Sequence, residues 1–163
     1  VEDILWAFFL TYFIIMFYEY FLDNREDDKE VISRKTMFLG MFFLSVLLVF
    51  LLVHFFAPQL LFIPYFYLLF GTSFILLPLV IEFFRRPNLI GKTFIVGSYF
   101  FVLSLAYEIV ALKLNWWNFP GDQFIGWVSI FGQSFPFEEF FFYIVLLAMS
   151  CVSYYEFFAG DEA

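Results

Sequence analysis

The chain has 163 residues, of which 64% are hydrophobic, 27% aromatic and only 15% charged. With a mean hydropathy of +0.90 it has too few polar side chains to cover a water-facing globule, so soluble classes are excluded and a bilayer is the expected solvent. The formal net charge of −8 excludes a basic nucleic-acid surface; much of it sits in the stretch DNREDDKEV, Asp23 to Val31, and in the tail GDEA, both of which read as solvated ends.

In chain order, apolar runs cover roughly Ile4 to Leu22, Thr36 to Phe56, Leu60 to Phe83, Thr93 to Leu112 and Phe137 to Phe158, each near the about 20 residues that a spanning helix needs. An all-α integral membrane protein with about five transmembrane helices is predicted. The first run reads as a span rather than a signal peptide, because no basic region precedes it and no small-residue cleavage site follows it. Pro64, Gly71 and Pro78 predict a kinked third span. A single cysteine, Cys151, leaves no disulfide framework and no thiolate metal site, and its expected role is packing.

Lys and Arg set the expected orientation. Arg25, Lys29, Arg34 and Lys35 fall in the first loop and Arg85, Arg86 and Lys92 in the third, against Lys113 alone on the opposite side. The 23–35 and 84–92 loops are therefore placed in the cytoplasm of a multi-pass cell-membrane protein, with the N-terminus and the 113–135 loop outside. Trp6, Trp116, Trp117 and Trp127 then lie near the outer boundary, as an interfacial aromatic belt does.

That topology gives each acid a depth. Glu2 and Asp3 open the first span at its outer end, Glu138 and Glu139 open the fifth, and Glu108 lies about one turn inside the outer end of the fourth. His54 lies near the outer end of the second, while Glu19, Glu82 and Glu156 lie near cytoplasmic ends. Acids in a first turn also complement the positive end of a helix, and Pro136 is an ordinary start signal. His54 by itself reads as an interfacial or hydrogen-bonded residue. Glu108 stands apart, because an ionisable group within a span is costly and marks a functional site by default. At 100° per residue, Glu139, Tyr143, Leu146, Ser150 and Ser153 share one face of the fifth span, and Gly97, Phe101, Ser104 and Glu108 one face of the fourth. Small and serine-bearing faces also serve ordinary helix packing.

The first residues, VEDILWAFFLTYFIIMFYEYF, parallel FEEFFFYIVLLAMSCVSYYEFF near the end. Glu2 matches Glu138, Asp3 matches Glu139, Tyr18 matches Tyr154 and, allowing one inserted residue, Glu19 matches Glu156. A partial and a complete three-helix repeat follow: 1–22 is the last helix of an incomplete first unit, 23–59 an acidic loop and linking helix, 60–158 the complete unit and 159–163 a tail. Repeated halves of membrane proteins commonly place a site at their interface. The first unit keeps only its last span, so further N-terminal helices or a partner subunit are expected to complete it.

Pro136, Phe137, Glu138, Glu139, Phe140, Phe141 and Phe142, together with YEIVALKLNWWNFPGDQFIG carrying Glu108, Trp116, Trp117, Ile125 and Gly126, resemble the integral-membrane lycopene cyclases of archaea, actinobacteria, some other bacteria and fungi. That domain is a three-helix unit, present twice in fused members, which typically have seven spans. Its third helix opens with a Pro-x-Glu-Glu type motif and Phe-rich sequence. The likeness covers about Tyr65 to Phe158, and Val1 to Phe21 as the end of a first copy. VED departs from the motif, since its Pro would precede residue 1 and Asp3 stands where the other copy has Glu.

The resemblance implies an intramolecular isomerase that closes a ring at the end of a linear carotenoid such as lycopene, without net redox change. A carboxylic acid protonates the terminal double bond, the cation closes on a neighbouring double bond, and a base removes a proton. Paired carboxyls suit this work because they can share a proton, and aromatic faces stabilise cations. The implied roles are Glu138 and Glu139 as proton donor and partner, Glu2 and Asp3 as their counterparts, and Glu108 as base or cation stabiliser. Trp6, Phe101, Trp116, Trp117, Phe142 and Tyr143 are expected to line the substrate. No cofactor or metal is expected, since no Gly-rich dinucleotide fingerprint appears, and the expected partners are the carotenoid and the lipid bilayer rather than nucleic acid. A carotenoid hydratase and a non-catalytic carotenoid- or lipid-binding subunit are the alternatives. A proton-coupled transporter fits less well, because the acids gather in one leaflet and no charged path crosses the bilayer.

Overall fold

The computed structural model describes residues 2–23 and 34–159, without the side chains of 2–4, 34–37, 39, 40, 43 and 159. Most of the acidic stretch after Asp23 and the tail lie outside the described residues. The chain divides into two compact units, Val1–Asn24 with Tyr65–Ala163, and Arg25–Pro64.

The smaller unit holds α2 (Arg34–Phe56) and a 3₁₀ turn, Pro58–Leu61. Within it, the His54 ring stacks on Phe50 and meets Phe55 edge-on.

The larger unit holds α1 (Glu2–Phe21), α3 (Phe66–Arg85), α4 (Leu89–Lys113) and α5, which is π-helical over Glu139–Leu146 and α-helical over Leu147–Ala159. Among the described residues, Phe66–Arg85, Leu89–Lys113 and Glu139–Phe158 are long and apolar enough to cross a membrane; the apolar stretches Leu5–Phe21 and Leu44–Phe56 are shorter. The core lies where α1, α4 and α5 meet, around Ile14, Tyr18, Val96, Phe100, Ala148 and Val152. Most other large apolar side chains of α3 and α4 face outward, which is the surface a bilayer covers.

Two corrections to the all-α expectation arise locally. The 113–135 loop contains an antiparallel hairpin, β1 (Trp127–Ile130) and β2 (Gln133–Pro136), paired Trp127 with Pro136 through Ile130 with Gln133. Phe131 and Gly132 turn it, with φ of 51° and 79°, the two positive values that a two-residue type I′ connection needs. The third apolar run also breaks before Phe66: Tyr65 takes φ 53°, and the helix begins only after it.

α3 is π-helical over Gly71–Leu76, just before Pro78. Pro78 has no N–H to offer the carbonyl four residues back, and that carbonyl, of Phe74, accepts the Tyr154 hydroxyl of α5 at 3.1 Å. Gly71 meets Phe142: a Cβ there would overlap the Phe142 ring and stand 2.9 Å from its Cβ. Gly97 of α4 meets only the flexible Met149 side chain, at 2.5 Å from Cγ. Gly71→Ala is therefore expected to destabilise by about 1–3 kcal/mol and Gly97→Ala by less, as read by thermal unfolding in detergent; equal losses would contradict the difference in packing.

The C-terminal ends of α1, α3 and α5 are joined by polar contacts. Tyr18 donates to Glu156 Oε1, and Tyr155 donates to Glu19 Oε1 at 2.6 Å, so each helix gives a tyrosine to the other's glutamate. The two tyrosine rings meet edge-on at 5.9 Å. Arg86 Nη1 donates to the Glu156 carbonyl at 2.8 Å and stands 3.4 Å from its Oε2, while its Nε is 3.3 Å from Glu82 Oε1. Arg85 Nη1 meets Glu82 Oε2 at 3.2 Å. Glu19, Glu82 and Glu156 are thus partnered within the bundle.

Candidate functional site

The site forms at the opposite end of α4 and α5. Lys113 ends α4, and Asn115 then takes φ 56°. Trp116 N–H donates to Ala111 O at 2.9 Å and Asn115 N–H to Leu112 O at 3.1 Å, a left-handed cap that closes the last carbonyls and reverses the chain. The reversal carries Trp117 back onto α4, where its Nε1–H donates to Glu108 Oε1 at 3.1 Å. Glu108 is only 4% exposed, and a buried carboxyl of this kind needs such a partner.

Glu139, half-buried at the first turn of α5, lies within coulombic reach of Glu108, and Tyr143 lies within reach of Glu139 and Tyr67. Aromatic rings surround these groups. Tyr143 meets Tyr67 at 5.5 Å and Phe70 at 6.4 Å; Tyr67 meets Phe124 at 5.8 Å and Phe119 at 6.3 Å. Phe101 and Phe140 are in ring contact at 6.3 Å. Tyr107 packs on Trp117 at 5.4 Å and stacks on Trp6 of α1 at 5.8 Å. From there an apolar groove of about 540 Å³ runs between α1 and α4, past Leu10, Phe17, Tyr99 and Phe100 to Phe21.

The two adjacent glutamates diverge. Glu138 is fully buried, and its Oε1 accepts the Ile125 N–H at 2.7 Å. The neighbouring Phe137 N–H donates to Gly126 O at 2.9 Å. Among the described residues, Glu138 Oε2 has no hydrogen-bond partner. Glu139 is within electrostatic reach of Glu108, whereas the Glu138 carboxyl is turned to the Ile125 amide.

The other expected site residues divide. Trp6, Trp117, Phe101 and Tyr143 belong to the aromatic surround, and Trp116 touches it through Tyr107 at 6.5 Å while remaining exposed. Phe142, expected as lining, is buried against Gly71 and packs helices instead. Ser153 donates to Met149 O at 3.0 Å within its own helix, and both Ser150 and Ser153 are buried. The side chains of Glu2 and Asp3 lie outside the described residues. Tyr67, Tyr107, Phe119 and Phe124 were not singled out in the sequence, where nothing distinguishes them from other membrane aromatics.

Chemically, two carboxyls in one apolar site can give and take a proton in turn, and the tyrosine, tryptophan and phenylalanine faces can stabilise a cation formed between them. Compared with protein-family models, with curated proteins and with solved structures, the chain matches none.

Proposed function

We propose that this chain is a multi-pass membrane enzyme that closes a ring at the end of a linear carotenoid of the lycopene type by acid catalysis, without net redox change. The observation that carries the reading is the placing of two carboxyls, Glu108 held by Trp117 and Glu139 within electrostatic reach of it, among aromatic rings at the ends of two apolar spans. In this reading Glu139 protonates the terminal double bond, and the cation is attacked by a neighbouring double bond to form the ring's new carbon–carbon bond. Glu108, its carboxyl oriented by Trp117, then removes a proton from the carbon next to the cation and leaves a ring alkene. One proton enters and one leaves, so the product is an isomer of the substrate.

α1 and α2 are counted as spans as well, giving five, with the N-terminus and the 113–135 loop outside and the 23–35 and 84–92 loops in the cytoplasm. α1 has 20 helical residues, about 30 Å at 1.5 Å per residue, which is a bilayer's hydrocarbon thickness. A hydrocarbon lying in the α1–α4 groove would then come from within the membrane to Tyr107, which packs on Trp117, the partner of Glu108.

The internal repeat gains support from the reciprocal tyrosine–glutamate contacts of α1 and α5. The acid pairs Glu2/Asp3 and Glu138/Glu139 stand 136 positions apart, whereas Tyr18/Glu19 and Tyr155/Glu156 stand 137 apart. The π-helical start of α5 lies between them, and a π turn is a wider turn that accommodates an extra residue. It thus accounts for the one insertion, with Tyr155, rather than Tyr154, as the counterpart of Tyr18.

The test is pigment chromatography with mass detection from a lycopene-accumulating bacterial host expressing the chain. A cyclic product of unchanged mass supports cyclisation. A product heavier by one water makes the chain a hydratase, and unchanged lycopene, with the protein present in the membrane, makes it a binding subunit. Trp117→Phe, which keeps an aromatic ring but removes the donor to Glu108, is expected to lower cyclic product about tenfold or more, since a bond to a charged group is worth about 1.5–3 kcal/mol; full activity would show that Glu108 needs no such orientation.

A further inference from the structure

We infer that Glu138 is a positioning residue: by holding the Ile125 amide it fastens the loop returning from α4 to the start of α5, and so keeps Trp117 on Glu108. This rests on the reading of Glu139 and Glu108 as the acid pair.

Two observations separate Glu138 from the chemistry. It is fully buried, so a hydrocarbon cannot touch its carboxyl, whereas Glu139 beside it is half-buried. Its Oε1 is also already committed to the Ile125 N–H, at 2.7 Å. Together with the Phe137 N–H bond to Gly126 O at 2.9 Å, this makes a two-point junction between the loop just before the hairpin and the two residues that lead into α5.

The loop so fastened carries the site's roof. It begins with the reversal that delivers Trp117 to Glu108. Its Phe119 and Phe124 rings cover Tyr67, which in turn packs on Tyr143. Gln123 Oε1 accepts the Tyr65 N–H at 3.2 Å, tying the same loop to the start of α3. Only seven residues lie between Trp117 and Ile125, so release of the Ile125 end is expected to loosen the indole. Removing the Glu138 carboxyl leaves the Ile125 amide without its acceptor, and an unmade buried bond costs more than the made bond gains.

The experiment uses Glu138→Ala, Glu138→Gln and Glu139→Gln in the lycopene-accumulating host, with hydrogen exchange followed by mass spectrometry over residues 119–127 of each purified protein in detergent. Glutamine keeps an oxygen for Ile125. Glu138→Ala is expected to raise exchange in that segment and to cut cyclic product about tenfold or more, and Glu138→Gln to restore both to within about threefold of the parent, as a bond kept by the conservative variant requires. Glu139→Gln is expected to lose product with exchange unchanged. The inference is overturned if Glu138→Gln is as inactive as Glu139→Gln while the segment stays protected, which would make Glu138 the acid, or if Glu138→Ala leaves the segment protected. Should the parent itself form no ring, the cyclase reading fails, while the exchange pattern still decides whether Glu138 fastens the loop.

Discussion

Glu139→Gln is expected to abolish ring closure, lowering cyclic product at least about a hundredfold while the protein still accumulates in the membrane, because a positioned general acid contributes about 10²–10⁴ in rate. The substitution preserves shape and removes the transferable proton. Glu139 is half-buried and stands at the start of α5, away from the Ile14–Tyr18–Val152 core, so the fold has little reason to fail with it. Glu108→Gln is expected to be severe as well, since the amide can still meet Trp117 through its oxygen but cannot take the proton that completes the ring alkene. Pigment chromatography of both variants against the parent, with membrane content measured by immunoblot, checks the pair; a Glu139→Gln variant with parental product would remove the central role assigned to it.

The largest effect on stability is expected at the other end of the bundle. Arg86→Ala removes, among others, its contacts to the Glu156 carbonyl at 2.8 Å, to Glu156 Oε2 at 3.4 Å and to Glu82 Oε1 at 3.3 Å. Glu82 is 2% exposed and Glu156 6%, so both carboxylates lose a compensating charge where water cannot replace it. Breaking a buried pair by deleting one partner typically costs 3–5 kcal/mol. The Arg86 side chain is 24% exposed, and Arg85 and Tyr18 remain on Glu82 and Glu156, which sets the expectation at the lower end, about 3 kcal/mol. Thermal unfolding in detergent measures it. The double variant Arg86→Ala with Glu156→Gln is expected to recover part of the loss, as coupled neighbours do; a loss below about 1 kcal/mol from Arg86→Ala alone would show a solvated, dispensable pair.

The parts of this architecture that sequence made visible are those set by local periodicity and depth. The last three apolar runs became α3, α4 and α5, because a backbone in lipid must satisfy its own hydrogen bonds and the helix does so. Glu108 stood out because a carboxylate in a span is costly, and it lies near the same end of successive spans as Glu139. Features that depend on contacts between distant residues were not visible. The hairpin turns on Phe131–Gly132, which lacks the Asn-Gly or Asp-Gly signal of such turns. The π-helical turns of α5, Glu139–Leu146, depart from the regular 100° spacing on which the predicted Glu139 face rests. Phe142 was indistinguishable from its Phe neighbours until Gly71 was seen to receive it. Glu138 and Glu139 look equivalent side by side, yet the amide of Ile125, 13 residues earlier, claims only one of them.

The central claim is that a proton from a carboxyl starts the reaction and a different proton leaves to end it. Membranes containing the chain, equilibrated in D₂O and supplied with lycopene, test it through the mass of the cyclic product. A carboxyl exchanges its proton with solvent, so each ring closed is expected to carry one deuterium, and Glu139→Gln membranes are expected to give no labelled ring. Cyclic product formed without deuterium, or lycopene recovered unchanged from membranes that contain the protein, would contradict the account.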